Sequence, residues 1–345
     1  MKKIAVIGHF GGEKEMLDGQ TIKTKILWEE LGKTNEFEMM KIDTYGWRSN
    51  PIRLFKNCRR AVRQSETVLM LPDYNGFLTL SVLLPLFNRN NKAKLIYIVV
   101  GGWLPVYLKE HPFYLGRAKK FSTIVVETEA IKMALEKLGL KNVSVVPNFK
   151  RLDYTNKTNL GFEKPFSFCY FSRVIPEKGI KEAVEAVKAI NLKSDKSVCT
   201  FDIYGPVGAD YKEDFNELIC GSEDTIRYKG IVPFDKSVET LVNYYAMLFP
   251  TLYYAECLPG TVIDAYASAV PVIAFNWSSG ADVVKHGKTG WICEENTVAS
   301  LIKTIEFSMA NVETVKIMKR NCLTEAEQYS PEICLPKIIK IIQGD

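Results

Sequence analysis

The sequence predicts an α/β protein made of two doubly wound domains. The chain has 345 residues, and one hydrophobic core rarely grows past about 250–300 residues. Short apolar runs alternate with segments of helical periodicity, and a polar stretch at 148–164 interrupts this alternation once. Strands that are apolar on both faces are typical of parallel sheets covered by helices on each side. We therefore expect Rossmann-like domains over 1–150 and 151–330, followed by a C-terminal helix within 331–345.

The first half contains five predicted strands with helices between them. Helices predicted at 21–31 and 130–138 have apolar residues at helical spacing, and Gly139 after the second is typical of a helix end. The strands are predicted at 4–7, 67–71, 95–100, 123–126 and 143–146.

The second half repeats this pattern. The last helix, predicted at 331–342, is amphipathic, and the sequence leaves open on which domain it packs. The other elements are strands at 168–171, 198–204, 225–228, 247–250 and 270–275, and helices at 178–190, 237–246 and 260–269.

Composition excludes several classes of protein. An apolar fraction of 47% and a charged fraction of 25% are typical of folded globular chains and not of disordered ones. The longest apolar run, 77–87, is shorter than the roughly 18–20 residues of a membrane-spanning helix. The short apolar stretch near the N-terminus predicts a strand and not a signal peptide. Eight cysteines without a Cys-x-x-Cys pair and three distant histidines predict reduced thiols, no metal site and a cytoplasmic protein.

Charge is distributed unevenly along the chain. Residues 1–150 carry 24 Lys and Arg against 14 Asp and Glu, whereas residues 151–345 carry 21 against 26. The basic excess is concentrated at 48–63, where apolar residues alternate with cations and no acid occurs. This pattern predicts an amphipathic helix on an anionic membrane surface, and a solvated basic helix is the open alternative. No aromatic platform or nucleic-acid motif accompanies the patch. Its cations are Arg48, Arg53, Lys56, Arg59, Arg60 and Arg63.

Glycines follow the first predicted strand, and Gly19-Gln20-Thr21 opens the first helix. Glycine lets a backbone approach a ligand closely, and a helix N-terminus favours anions. The spacing is not Gly-x-Gly-x-x-Gly, so a nicotinamide-dependent oxidoreductase is disfavoured.

Two cations follow the predicted strand 168–171. Arg173 comes at its carboxyl end, where doubly wound sheets bind ligands. Lys178 comes in the first turn of the next helix, where a cation is unfavourable unless an anion binds nearby. Both therefore indicate a phosphate site, and a surface ion pair with Glu177 is the alternative.

Two acids, Glu256 and Asp264, stand eight residues apart around a helix start at 259–261. Carboxylates accept hydrogen bonds from hydroxyl groups, so the pair suits a polyhydroxylated ligand. Stabilisation of the helix dipole would explain one acid and not both.

These residues, in this order, resemble the retaining glycosyltransferases of family 4, which have the two-domain GT-B fold with a cleft between the domains. The family's elements are an Arg-x4-Lys-Gly run, an Ile-Tyr-Gly turn, a Glu-x7-Glu run, a Pro-Val-Ile strand and a Gly-x-Thr-Gly turn. Their counterparts here begin at Arg173, Ile203, Glu256, Pro271 and Gly287. The first half is similar to members that build bacterial capsule or O-antigen polysaccharide. That similarity rests on the segments 18–24, 101–105 and 145–149, and on 249–251 before Glu256.

The resemblance implies a role for each residue. Arg173 and Lys178 would hold the donor diphosphate, and Glu256 would contact the donor sugar, which makes these three the catalytic set. Asp264 would hold the ribose and Val232 would lie beside the base. The remaining donor-binding residues would be Gly260 and Thr261, and, from the other domain, Gly19 and Gln20.

The implied activity is sugar transfer with retention, without a metal or cofactor. The donor would be a nucleotide diphosphate sugar, UDP-linked with GDP as the rival, and the acceptor a growing lipid-linked saccharide. Three departures from the family motivate an alternative. Asp264 replaces Glu, Cys257 replaces Gly, and the family's first-domain histidine has no counterpart. The alternative is a weak or inactive nucleotide-sugar-binding homologue that partners another glycosyltransferase.

Overall fold

The computed structural model describes residues 1–12, 18–90, 92–152, 164–194 and 197–344. It contains two compact units, one formed by Met1–Arg151 with Tyr329–Asp345 and the other by Leu152–Gln328. The chain thus completes the first unit only after it has passed through the second. Most of the predicted linker, at 153–163, lies outside the described residues.

The first unit is built on a parallel sheet with the strand order β2-β1-β3-β4-β5-β6 in its described part. Its strands are β1 (Lys2–Gly8), β2 (Phe37–Asp43), β3 (Thr67–Met70), β4 (Lys94–Ile98), β5 (Thr123–Val126) and β6 (Val143–Val145). Its helices before the chain leaves the unit are α1 (Gly19–Lys33), α2 (Pro51–Gln64), α3 (Tyr74–Phe87), α4 (Leu104–Glu110), α5 (Pro112–Ala118) and α6 (Glu129–Lys137).

The second unit has a parallel sheet with the order β12-β11-β10-β7-β8-β9, again over the residues described. Its strands are β7 (Phe166–Phe171), β8 (Cys199–Tyr204), β9 (Ile226–Gly230), β10 (Ala246–Phe249), β11 (Val272–Ala274) and β12 (Gly290–Ile292). Its helices are α7 (Ile180–Leu192), α8 (Lys212–Ile219), α9 (Ser237–Leu241), α10 (Gly260–Ala267), α11 (Gly280–Val283), α12 (Val298–Ala310) and α13 (Val312–Glu327).

The final helix, α14 (Pro331–Gln343), belongs to the first unit. It buries Leu335 and Ile338, and two strand lysines bind its last turn. Lys2 Nζ donates to the carbonyl of Ile342 at 2.9 Å, and Lys94 Nζ to that of Ile341 at 2.7 Å. Cations favour a helix C-terminus because the last carbonyls carry partial negative charge.

The structure corrects several predicted elements. The predicted helix 237–246 is too long, since α9 ends at Leu241 and β10 begins at Ala246. The helix predicted from Lys178 begins at Ile180, after a short 3₁₀ turn over Pro176–Lys178. The edge strands β2 and β12 were not predicted. β2 is partly exposed and β12 has three residues, so neither has a long apolar run.

Strand order locates the ligand-binding edge of each sheet. In the second unit the chain moves from β7 to β8 and β9, then returns to the other side of β7 with β10. In the first unit the same reversal separates β1 from β3. Loops at the carboxyl ends of two such strands diverge and leave a crevice, which is where doubly wound sheets bind ligands.

Three chemical features complete the description. Among the described residues, no helix combines the length and apolarity needed to cross a bilayer. The same residues contain no group of three or more potential metal ligands. The eight cysteines are free thiols, and all except Cys220 are buried.

Candidate active site

The loop after β7 carries the two predicted cations. Arg173 is exposed, whereas Lys178 is buried. Tyr170, in β7, lies with its Oη 2.8 Å from the carbonyl oxygen of Arg173 and 3.3 Å from that of Lys178. One buried hydroxyl therefore lies within hydrogen-bond distance of both ends of the cation-bearing loop.

Two glycines allow the loops after β8 and β10 to pack closely against the loop after β7. Gly179 has a φ of +73°, and a Cβ at this position would overlap the carbonyl oxygen of Pro250, after β10. Gly205 has a φ of +129°, and its Cβ would overlap the carbonyl oxygen of Ser172. Side chains are excluded by backbone geometry and by space at both positions. The glycines of the Lys-Gly and Ile-Tyr-Gly motifs thus allow this close packing.

The loop after β10 brings Glu256 to Lys178. The Glu256 carboxylate is bonded to the Lys178 ammonium group, and each side chain is only 9% exposed. Thr251 Oγ1 donates to the same carboxylate at 3.1 Å, and the amide of Leu252 donates to the carbonyl of Glu177 at 2.9 Å. The partner of Lys178 is therefore Glu256 and not Glu177. The two loops of the reversal are joined by side chains and by backbone.

Tyr253 lies beside both cations, and the sequence reasoning missed it. Lys178 Nζ is 4.7 Å from the centre of its ring, and the Arg173 guanidinium carbon is 6.0 Å from it. Burial raises the pKa of Tyr253, and the Arg173 guanidinium opposes this shift by interacting with the hydroxyl. The available signal was an aromatic pair, Tyr253-Tyr254, in the loop that carries Glu256.

The start of α10 carries three further predicted residues. Gly260 and Thr261 are its first two residues, whose N–H groups have no acceptor within a helix. Thr261 Oγ1 is buried and has no hydrogen-bond partner among the described residues. Asp264 is 4% exposed. The amides of this helix start can thus bind an anion.

Val232 lies two residues beyond β9, partly buried. In the sheet order β9 follows β8, so Val232 is at the same carboxyl edge but two strands from β7.

Gly19 and Gln20 lie in the first unit, as the first residues of α1. Gln20 Nε2 donates to the carbonyl of Leu71, beyond β3, at 3.1 Å. Gln20 also lines a cavity of about 310 Å³ at the reversal between β1 and β3. The space in front of Gly19 is open, so its backbone is accessible.

Asp43, at the end of β2, binds the glycine loop that follows β1. Its carboxylate accepts hydrogen bonds from the amides of Phe10 and Gly12, both at 3.0 Å, and from the amide of Tyr45 at 2.8 Å. Dinucleotide-binding domains use an acid in this region of the fold for the ribose hydroxyls. Here the acid binds the glycine loop of its own chain.

The predicted basic helix is α2. It buries Leu54, Cys58, Ala61 and Val62. On the exposed side, Ile52 is 67% and Phe55 is 42% accessible. The exposed cations of α2 and the preceding turn are Arg48, Arg53, Lys56, Arg59, Arg60 and Arg63.

Comparison with known proteins agrees with this geometry. Residues 154–323 match the family model described as "Glycosyl transferases group 1". An uncharacterized glycosyltransferase of Haemophilus influenzae is 33% identical over 145 residues, which are 38% of this chain and 40% of that protein. A Mycobacterium tuberculosis mannosyltransferase named as GDP-mannose-dependent is 29% identical over 155 residues, 43% of this chain and 39% of that protein. The chain thus spans about two fifths of the length of these relatives.

Further relatives are named as amylovoran, colanic acid and capsular polysaccharide biosynthesis glycosyltransferases. Among solved structures, that of Anabaena HepE in complex with UDP covers 100% of both chains, with a TM-score of 0.77 and 14% identity. At this identity the similarity shows the fold alone. The chain therefore has the GT-B fold, its residues 154–323 are similar to the group 1 glycosyltransferases, and it resembles enzymes of capsule and exopolysaccharide synthesis.

Proposed function

We propose that this protein transfers a sugar from a nucleotide diphosphate sugar to a saccharide acceptor. The observation that carries the proposal is the grouping of Arg173, Lys178 and Glu256 at the strand reversal of the second unit. Two cations suit a diphosphate, and a carboxylate beside them suits the hydroxyl groups of the attached sugar.

The proposed reaction proceeds with retention. The bond between the anomeric carbon and the diphosphate oxygen breaks, and a bond to an acceptor hydroxyl oxygen forms on the same face of the sugar. The acceptor proton passes to the leaving diphosphate. Arg173 and Lys178 stabilise the negative charge that develops on the diphosphate. We propose that they supply the positive charge of the site, so that transfer needs no metal or cofactor and continues in the presence of EDTA.

The proposed donor carries UDP. HepE, with the same fold, is described in complex with UDP, whereas one relative is named as GDP-mannose-dependent; GDP is therefore the rival. In either case Asp264 would bind the ribose, Val232 would lie beside the base, and Gly260 and Thr261 would bind phosphate or sugar. Gly19 and Gln20 would contribute from the first unit.

A thermal-shift titration with UDP, GDP, ADP and NAD tests the donor site. A ligand that binds only the folded state at 100 times its Kd stabilises it by about 2.7 kcal/mol. We expect UDP to raise the Tm of the wild type by several degrees and Arg173→Ala to show a much smaller rise at the same UDP concentration. The matched control is Arg320→Ala, because Arg320 is an exposed arginine of α13. This variant should keep the full rise in Tm. A rise in Tm with GDP alone would mean that the donor carries guanine and not uracil. A rise with NAD alone, or no rise with any of the four nucleotides, would overturn the proposal.

The proposed acceptor is a lipid-linked saccharide at the cytoplasmic face of the plasma membrane. The exposed cations of α2, together with Ile52 and Phe55, support peripheral contact with anionic lipid. We propose no nucleic-acid partner for this surface, because the chain carries no nucleic-acid-binding motif.

Sedimentation with vesicles tests the membrane contact. The protein should bind vesicles that contain phosphatidylglycerol and remain free of pure phosphatidylcholine vesicles, because the contact is electrostatic. Changing Arg53, Arg60 and Arg63 to Gln should abolish binding. Changing Lys109, Lys119 and Lys120, exposed elsewhere in the same unit, removes equal charge and should leave binding intact. Equal loss in both triple variants would mean that net charge, and not α2, is responsible.

A second candidate function is nucleotide-sugar binding without catalysis. Asp264 is one methylene shorter than the family's Glu, and Cys257 takes the position of a glycine. Single-turnover hydrolysis of UDP-sugar separates the two functions. Release of UDP by the wild type, but not by Lys178→Met, supports an enzyme, whereas donor binding with no release supports the inactive homologue.

A further inference from the structure

We propose that Tyr253 is a positioning residue that holds Arg173 and Lys178 side by side for the donor diphosphate. The inference rests on the proposed function, since it concerns the same site. Tyr253 matches none of the family elements that identified the site, and it enters only through its contacts in the structure.

The Tyr253 ring lies near both cations. Lys178 Nζ lies 4.7 Å from the ring centre, within the range of a cation–π contact, and the Arg173 guanidinium carbon lies at its limit, at 6.0 Å. Two cations that lie near the same ring repel each other. The electron-rich face of Tyr253 and the Glu256 carboxylate both offset this repulsion.

The Arg173 side chain is exposed, and a free arginine loses considerable rotamer entropy when it becomes fixed on a ligand. The Tyr253 ring limits the positions of Arg173 before the donor arrives, which reduces the entropy cost of binding.

Hydrogen bonds also fix the backbone of Tyr253. Its amide donates to Thr251 Oγ1 at 3.3 Å, and its carbonyl accepts from the amide of Glu256 at 3.0 Å. Thr251 Oγ1 also donates to the Glu256 carboxylate. The ring that contacts the cations and the carboxylate proposed to contact the sugar therefore belong to one hydrogen-bonded loop.

The test measures the Kd of UDP for Tyr253→Leu and Tyr253→Phe by calorimetry. Cation–π contacts contribute about 0.5–2 kcal/mol, so Tyr253→Leu should weaken UDP binding by about tenfold. Tyr253→Phe retains the ring face that contacts both cations and should change the Kd by less than about twofold. Tyr254→Leu is the matched control, because Tyr254 is the next residue and is 69% exposed, and its ring touches that of Tyr253 whereas the two cation contacts are those of Tyr253. It should change the Kd by less than about twofold.

A double-mutant cycle separates positioning from general support of the fold. In an Arg173→Ala background the effect of Tyr253→Leu should shrink from about tenfold to about threefold or less, because one of its two contacts is already absent. An unchanged tenfold effect would overturn the inference, as would wild-type affinity in Tyr253→Leu or an equal loss in Tyr254→Leu. A wild type that binds no nucleoside diphosphate would instead overturn the proposed function, and this inference with it.

Discussion

The carboxylate of Glu256 and the ammonium group of Lys178 form an ion pair from which water is almost excluded. Removing one member leaves the other charge buried without a partner, which costs about 3–5 kcal/mol in fully buried pairs. We expect Lys178→Met and Glu256→Gln each to lower the free energy of unfolding by about 3 kcal/mol. Replacing both together should cost less than the two single changes added.

Urea unfolding of the four proteins in this cycle provides the measurement. Lys181→Met, which breaks the exposed pair between Lys181 and Glu185, is the control and should have no measurable effect. Additive losses in the cycle would show that the two side chains act independently.

Gly179 should tolerate no side chain. Gly179→Ala combines an unfavourable φ of +73° with overlap of the Pro250 carbonyl, and the adjustment would separate the loops that carry Lys178 and Glu256. Gly221 has a nearly identical φ of +72° with open space around it. Gly221→Ala should therefore cost only about 1–2 kcal/mol of unfolding free energy, and Gly179→Ala clearly more. Equal melting temperatures for the two variants would contradict the overlap.

Tyr170→Phe should reduce donor affinity as well as stability. The lost hydroxyl leaves the carbonyls of Arg173 and Lys178 without this contact, at a cost of about 1–2 kcal/mol. Tyr245→Phe is the control, because Tyr245 donates a similar hydrogen bond to the carbonyl of Ser308 in the same unit. Both variants should melt earlier, but only Tyr170→Phe should bind UDP more weakly. A parallel loss of UDP affinity in Tyr245→Phe would refute a specific role.

Lys319 should make stability rise with pH in the alkaline range. Burial lowers the pKa of Lys319 to about 8, against a usual value of 10.5. Between these values the unfolded chain binds more protons than the folded one, so the free energy of unfolding increases with pH, by up to about 3 kcal/mol. Lys319→Met should remove this contribution.

The measurement compares unfolding of the wild type, Lys319→Met and Lys316→Met at pH 7.5 to 10.5, a window set by the roughly 8 to 10.5 range of the shift. The comparison between variants matters because burial also raises the pKa of Cys169 and Cys322, which lowers stability at alkaline pH in all three proteins. Lys316 lies on the same helix and is partly exposed. Parallel pH profiles for the three proteins would contradict the prediction.

Asp264 should discriminate between ribose and deoxyribose if it binds the ribose hydroxyls. Loss of one charge-assisted hydrogen bond costs about 1.5–3 kcal/mol, so the wild type should bind 2′-deoxy-UDP or 3′-deoxy-UDP at least about tenfold more weakly than UDP. Asp264→Ala should bind all three with similar, low affinity. Preserved discrimination in Asp264→Ala would assign the ribose to another residue.

Periodicity predicted the architecture because most strands of these sheets are buried on both faces. Ala246–Phe249, for example, is fully buried and appears in the sequence as an uninterrupted apolar run. The edge strand Phe37–Asp43 is partly exposed and has no such run. The helix Tyr74–Phe87 is apolar on most sides, so it has no helical period to recognise.

Some residues of the candidate site could be predicted from the sequence and others could not. Arg173, Lys178 and Glu256 were predicted from their places at a strand end and around helix starts, and from the motifs of the family that the sequence resembles. Tyr170 and Tyr253 were not predicted, since an aromatic residue in a strand or just after one is usually part of the core. Their roles depend on one hydroxyl group and one ring face, and sequence spacing carries no information on either.

The helix Pro331–Gln343 has a consequence for biosynthesis. A ribosome makes the entire second unit before it makes this helix, whose last turn accepts hydrogen bonds from Lys2 and Lys94 at the amino ends of β1 and β4. When synthesis of the second unit is complete, the first unit still lacks its last helix. The apolar surface that Leu335 and Ile338 cover in the folded protein is exposed until that helix has been made. Nascent chains would then need protection at the part that emerged first, which reverses the usual order in which the domains of a growing polypeptide mature.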